Sequence, residues 1–478
     1  MGWKERQDLQ VLAGSIVFLG GIIGGIFGWG GAKGWSAEKP IDWPEPDRFW
    51  PKPNATNCSN FDPLYEAPVR HVEKDCYSRW YYWQLPQDEA DAVSRAVVWI
   101  LYALHQIAHW VFIWFAQQHK KKLLENKEEV YVSKLRWYNW ALVGVTGLFH
   151  IAHLVQTHTT YDATAKDVVI QASQGSVIMM LVFVLLIEYR DRGMVFGWPN
   201  QWSDDVVAQK LRMSPGPIEY VRKYHGYAFS WAVIFTFWYH PMENTYGHAL
   251  GFCHTYLVMI QGSLIYQKIH LNKYFRFLLE TWVWFHGFAV AVMVAKGEWW
   301  DEMAPFMFGI GFGTLIFVTQ LYGLPFWRKL NPYFRLIPGV LWILAVVIGI
   351  TASSLPNSYI LTMFQIPLGQ MGCAVIAWFF CWVLMKCLPP KQRFSNTIFA
   401  VTTLLMYCIF ITVSALFQYY AQSIEVPFIA MTYILVFLYM IGAIIAFFLA
   451  PVPENLLISK VDPDFNSDTQ LQQKPSTE

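Results

Sequence analysis

The sequence predicts an all-α protein, a polytopic transmembrane helix bundle of about 12 spans with both termini in the cytoplasm. Composition is the first indication, because 55% of the 478 residues are hydrophobic and only 14% are charged. Soluble domains carry about 25% charged residues. A chain with so few charges cannot coat a water-soluble globule of this size. Long apolar segments and the distribution of Lys and Arg are the other two indications.

Twelve segments approach the roughly 20 mostly apolar residues that a membrane span needs. They lie at 9–30, 92–116, 136–157, 168–188, 220–241, 248–268, 277–295, 303–324, 336–354, 360–386, 394–419 and 426–449. The first resembles a signal peptide, but no small-residue cleavage site follows it, so we predict a retained span. Pro367 predicts a kink in the tenth segment.

The connectors between these segments alternate between cation-rich and cation-poor, and cytoplasmic loops carry the excess of Lys and Arg. The cation-rich set holds Lys120–Lys122, Arg190, Arg192, Lys273, Arg276, Arg328, Lys329, Arg335, Lys391 and Arg393. This pattern places the N-terminus and a polar, disordered tail, 450–478, in the cytoplasm. Between them it predicts a first span (1–30), an outer loop (31–91), a His-rich bundle (92–295, spans two to seven) and an apolar bundle (303–449, spans eight to twelve).

The loop at 31–91 is predicted to be exofacial or lumenal, in the plasma membrane or an endomembrane. It contains Cys58 and Cys76, which an oxidising compartment would join in a disulfide. Two consecutive sequons place N-glycosylation acceptors at Asn54 and Asn57. These signals agree with the side that the charge pattern predicts independently.

The partners follow from charge and hydropathy. A net charge of +1 argues against nucleic acid. The expected partner is the lipid bilayer, with a small molecule, a lipid or a proton as substrate.

Histidine is the informative residue type in this chain. Twelve of the 13 histidines lie between His105 and His286, and none follows in the later spans. Ionisable residues within a membrane are costly and usually face a cavity, a partner or a cofactor. The same bundle carries carboxylates beside cations, and we expect Glu280 to pair locally with Arg276, and Glu188 with Arg190 or Arg192.

One interpretation is a site for zinc, iron or copper, because histidines at i,i+3 or i,i+4 present two nitrogens to one ion. The predicted metal ligands are His105, His109, His150, His153, His240, His248 and His286. Within the connector between spans five and six, Glu243 and His248 are the candidates for acid–base catalysis.

A second interpretation is a pair of haem b groups, each bound by two histidines. In an antiparallel pair of spans, His225 would lie near His270 and His240 near His254, at two levels roughly 22 Å apart. Facing helices that supply axial histidines in this way are a known arrangement in bundles.

Three functions therefore compete. The first is a membrane-embedded metal- or haem-dependent enzyme or oxidoreductase. The second is a proton-coupled transporter or channel that uses the His and Glu residues as a relay. The third is a receptor or assembly subunit that acts through the outer loop. The clustering of histidines on adjacent spans favours the first.

Overall fold

In this computed structural model, the structure describes residues 3–32, 92–157, 170–203, 205–239, 246–294 and 303–387. Within these ranges the fold is all-α. The helices are α1 (Gln7–Ala32), α2 (Ala92–Glu125), α3 (Trp137–Thr157), α4 (Ile170–Arg192), α5 (Val206–Leu211), α6 (Pro215–Tyr239), α7 (Tyr246–Ser263), α8 (Lys273–Val294), α9 (Met303–Val318), α10 (Pro325–Arg328), α11 (Pro332–Thr351) and α12 (Thr362–Cys387).

The ten long helices coincide with the first ten predicted segments, which confirms those segments as helices. Four are long and apolar enough to cross a membrane: Gln7–Gly25, Ala92–Glu125, Met303–Gly323 and Pro332–Thr351. Neither α3 to α8 nor α12, as far as their residues are described, meets the same standard of length, hydropathy and charge. The number of crossings and the orientation of the termini stay predictions, and the segments at 394–419 and 426–449 lie outside the described residues.

Helix ends differ from the predicted ones for local reasons. α2 continues to Glu125, beyond the predicted end, because Lys is a good helix former and Lys121 lies 4.0 Å from Glu125 at i,i+4. α7 stops at Ser263, before a turn that includes Tyr266 in the left-handed region (φ 61°). Pro367, where a kink was predicted, lies inside α12.

Four helices form a ring in which each contacts the next: α2 packs on α3, α3 on α7, α7 on α6 and α6 on α2. Around this ring, α1 packs on α7, α4 on α6, and α8 on both α7 and α9. The main core fills the ring with large buried side chains such as Trp231, Phe235 and Ile260. We call the end of the ring where α2 ends and α3 begins the inner end.

Buried ion pairs join α4 to α8 at the inner end, and they correct the predicted local pairs. Arg192 Nη2 lies 2.8 Å from Glu280 Oε1, and both side chains are buried. Arg276 pairs with Glu188 on α4. The pairs form between facing helices because packing buries both carboxylates and Arg192, and a buried charge needs a close counter-charge.

The carboxylate of Asp191 lies beside this network, outside the predicted span. Its Oδ2 lies 2.5 Å from Lys273 Nζ, and Trp202 Nε1 donates to its other oxygen at 3.0 Å. Burial by itself would raise the pKa of Asp191, but the positive charges of Lys273 and Arg328 outweigh burial and hold it well below the usual range.

The turn that follows α4 depends on two glycines. Gly193 has φ 69°, and a Cβ there would lie 2.7 Å from the Gly197 carbonyl carbon. Gly197 has φ 81° and packs against the Tyr322 ring. Both features exclude larger residues, so this turn is fixed by sequence at the inner end.

Candidate functional site: a buried histidine cluster

Four of the predicted site residues meet at the centre of the helix ring. His105 and His109 project from α2, and His150 and His153 from α3; their exposed fractions are 0%, 3%, 0% and 0%. The His105 and His109 ring centroids are 5.1 Å apart, as the i,i+4 spacing predicted. We call this group the histidine cluster.

Aromatic rings enclose the cluster. His105 stacks on Phe149, with ring centroids 4.4 Å apart. Phe237 contacts His150 at 4.3 Å, His153 at 4.1 Å and His105 at 6.1 Å between centroids. This jacket excludes water, so each imidazole nitrogen that lacks a hydrogen bond carries a desolvation cost.

The hydrogen bonding of His105 fixes its tautomer. Trp238 Nε1–H donates to His105 Nδ1 at 3.1 Å, so Nδ1 carries a lone pair and the ring is neutral with its proton on Nε2. No described residue accepts a hydrogen bond from that Nε2–H. Among the described residues, His105 therefore presents a donor without an acceptor inside the helix ring.

His150 has the opposite arrangement. Its Nδ1–H donates to the Thr146 carbonyl, one turn earlier on α3, at 2.7 Å. The lone pair therefore lies on Nε2, and no described residue donates to it. The cluster thus holds, on two fully buried rings, one donor and one acceptor that no described residue uses.

A hydrogen-bonded chain leads from the cluster toward the inner end. His109 Nε2 lies 3.4 Å from Thr146 Oγ1, and Thr146 Oγ1 lies 3.1 Å from Ser263 Oγ. Ser263 donates its hydroxyl proton to the Met259 carbonyl at 2.7 Å, so Thr146 donates to Ser263 and accepts from His109.

Asn139, fully buried on α3, extends this polar line. Its Nδ2 donates to the Ser263 and Ile265 carbonyls at 2.9 and 3.0 Å. These bonds satisfy carbonyls at the end of α7, which the helix leaves without intrahelical donors.

Two other predicted ligands lie elsewhere. His254 faces α8, where its Nε2–H donates to the Leu279 carbonyl at 3.0 Å. His286, on α8, packs against Gly251: a Cβ at that glycine would lie 2.7 Å from the His286 ring. These contacts place the His254 and His286 rings outside the histidine cluster.

The predicted proximity of His225 and His270 is confirmed at the inner end. Their ring centroids are 6.0 Å apart and the rings are nearly parallel. His225 Nδ1 bonds to the Arg222 carbonyl at 2.5 Å, and His270 Nδ1 to the Gln261 carbonyl at 2.8 Å. Both rings therefore carry their proton on Nδ1 and a lone pair on Nε2.

Several predicted residues are not described. His240 and Glu243 lie outside the described residues, and His248 lies in the first turn of α7 without a described side chain. The predicted disulfide of Cys58 with Cys76 and the sequons at Asn54 and Asn57 also lie outside, in 33–91. Those assignments stay predictions.

Metal ligation also stays a prediction. Within the described residues, no three His, Cys, Asp or Glu side chains are placed to hold a metal ion. The Trp238 bond to His105 Nδ1 argues against His105 as a metal ligand through Nε2. A ring that ligates through Nε2 must carry its proton on Nδ1, whereas Nδ1 of His105 accepts the indole N–H.

Sequence reasoning missed three side chains that shape the site: Trp238, Thr146 and Tyr256. Thr146 precedes His150 by one helical turn, a spacing that could have drawn attention to it. Trp238 and Tyr256 resemble the many other aromatic residues of the chain, and only the packing of α6 and α7 against α3 singles them out.

No family model, curated protein or solved structure matches this chain.

Proposed function

We propose that this chain is a multi-pass integral membrane protein, of about twelve spans, in which the histidine cluster transfers protons as part of a proton-coupled transporter or channel. The supporting observation is the donor on His105 together with the acceptor on His150, neither of which bonds to a described residue. A buried imidazole nitrogen that lacks a hydrogen-bond partner costs folding free energy, and a buried ionisable side chain in a membrane protein is typical of a functional site.

Trp238 acts as a gate in this proposal. His105 cannot bind a second proton at Nδ1 while that atom accepts from the indole N–H. Protonation of His105 therefore requires the Trp238 side chain to move, which couples the charge of the cluster to the position of α6. The chain from His109 through Thr146 to Ser263 gives the cluster a polar connection toward the inner end.

Proton flux in proteoliposomes tests the proposal. The protein is reconstituted with an internal pH dye, and a potassium diffusion potential drives proton entry. We expect flux above that of protein-free liposomes, and its loss in His105→Gln and His150→Gln. His119→Gln is the matched control, because His119 lies on α2 outside the cluster, against Tyr138. Wild-type flux equal to that of empty liposomes would contradict the proposal.

A metal- or haem-dependent enzyme is the second candidate, and the pair His225–His270 favours it. Histidines that bind a metal usually donate the other ring N–H to a carbonyl, as both rings of this pair do. A bis-His haem also needs two rings on neighbouring segments, which α6 and the turn after α7 supply.

The visible spectrum of the purified protein, with elemental analysis for iron, copper and zinc, separates the two candidates. A Soret band that disappears in His225→Ala and His270→Ala would establish the haem protein. Stoichiometric zinc or copper would establish a metal site. A colourless, metal-free and folded protein would leave proton transfer as the function.

A further inference from the structure

A cleft of about 500 Å³ lies between α1, α3 and α7. The ring of Tyr256, which lines the cleft, also contacts His150 of the histidine cluster. Its lining runs along α1 from Gln7 to Phe18, a rise of roughly 16 Å. The volume is that of a small-molecule site. Phe18 and Trp140 at its edge are exposed, so the cleft opens sideways from the bundle.

The chemistry of the lining is graded. Gln7 and Gln10 lie at the inner end, beside Trp140 in the first turn of α3. Deeper positions are mostly apolar, as at Val11 and Val143, and Ser15 is the polar residue among them. None of the described residues that line the cleft carries a charge. This gradient suits a molecule with an apolar chain and an uncharged head that bonds to amides.

Two glycines keep the cleft open. Gly14 on α1 and Gly147 on α3 both line it, and a Cβ at either position would meet no atom of the described residues within 4 Å. Glycine has no conformational advantage inside a helix, where it costs about 1 kcal/mol relative to alanine. Its presence here leaves room that a side chain would fill.

The back of the cleft is Tyr256. The Tyr256 ring contacts Phe18 at 5.8 Å on the cleft side and His150 at 4.7 Å on the other, both between centroids. One aromatic ring therefore separates a molecule in the cleft from the histidine cluster.

We propose that this cleft binds a neutral single-chain amphiphile that enters from the bilayer, with its head at Gln7 and Gln10 and its chain against Phe18. The sideways opening favours a ligand dissolved in lipid, and the uncharged lining excludes an anionic head, which would lose its hydration without gaining a counter-charge. This inference is independent of proton transfer.

Photolabelling tests it. The full-length protein in phosphatidylcholine nanodiscs is irradiated with a long-chain alcohol that carries a diazirine on its chain, digested and mapped by mass spectrometry. We expect label on α1 and α3 residues that line the cleft, and weaker label from the matching fatty acid, whose carboxylate is charged. Gly147→Leu should reduce the label roughly tenfold, the effect of about 1.4 kcal/mol of lost binding.

Gly144→Leu is the matched control. Gly144 lies on the same helix and also has open space for a Cβ, but it does not line the cleft. Both variants should fold, and thermal unfolding checks this. Equal labelling of wild type and Gly147→Leu would overturn the proposal, as would an absence of label from the cleft, the result expected if another part of the chain covers it.

Discussion

The buried pair of Arg192 and Glu280 predicts an asymmetric double-mutant cycle. Arg192 Nη2 and Glu280 Oε1 are 2.8 Å apart, and the side chains are only 4% and 7% exposed. Removing one partner of a buried pair leaves an uncompensated charge and typically costs about 3–5 kcal/mol. We therefore expect Arg192→Met to destabilise the protein by about that amount.

Glu280→Met should cost less. Arg192 is attracted by Glu188 and Asp191 as well as by Glu280, so it keeps two counter-charges when Glu280 is removed. Glu280, by contrast, is repelled by Glu188, and when Arg192 is removed it keeps only the weaker attraction of Arg276. The double variant, which removes both charges, should be more stable than Arg192→Met alone, because apolar replacements of a buried pair are often neutral.

Unfolding in mixed micelles with a rising fraction of sodium dodecyl sulfate measures these differences, since the four proteins are compared under one set of conditions. The reasoning would be refuted by an Arg192→Met variant that loses less than about 1 kcal/mol. It would also be refuted if the effects of the single substitutions simply add in the double variant, because additivity denies the interaction between the two side chains.

Three further predictions concern single positions. Asp191→Asn should lower the midpoint of thermal unfolding at pH 7, because the low pKa of Asp191 stabilises the folded protein at any pH where an unfolded Asp would be ionised. The difference in midpoint from wild type should shrink below about pH 4. A difference that does not change with pH would contradict this. Gly193→Ala should cost at least about 1–3 kcal/mol, since its φ of 69° is combined with a clash against Gly197, and an unchanged unfolding midpoint would argue against the turn described. Wild type should migrate faster on a non-reducing gel than after reduction, and Cys58→Ser or Cys76→Ser should abolish the shift if these two cysteines form the disulfide.

Helix positions were predictable because a run of apolar residues is a local property of the sequence. The long helices α1 to α4 illustrate this, since each coincides with a predicted segment. The short helices α5 and α10 escaped prediction, as six and four residues are too few for an apolar pattern. Their beginnings have local signals, the Asp205 side chain that caps α5 and the Pro325 that starts α10.

Contacts within one helix were predictable, whereas contacts between helices mostly were not. The shared face of His105 and His109 follows from their spacing alone. The contacts of Trp238 and Thr146 with the histidine cluster depend on how α6, α7 and α3 pack together. The pairing of Arg276 with Glu188, where Glu280 was predicted, likewise depends on contact between two helices. The neighbours His225 and His270 are the exception, because a short connector fixes the register of the antiparallel pair α6 and α7.

The buried polar side chains of α3, such as Asn139, Thr146 and His150, have a consequence for biogenesis. A polar helix that leaves the translocon alone must expose its imidazoles, amides and hydroxyls to lipid, where nothing compensates for the lost hydration. The bonds from Trp238 to His105 and from Thr146 to Ser263 form only after α6 and α7 have been synthesised. In the multi-pass membrane protein that we propose, integration of α3 is therefore a collective event that waits for later helices, and a nascent fragment ending after α3 should be retained by the insertion machinery or degraded.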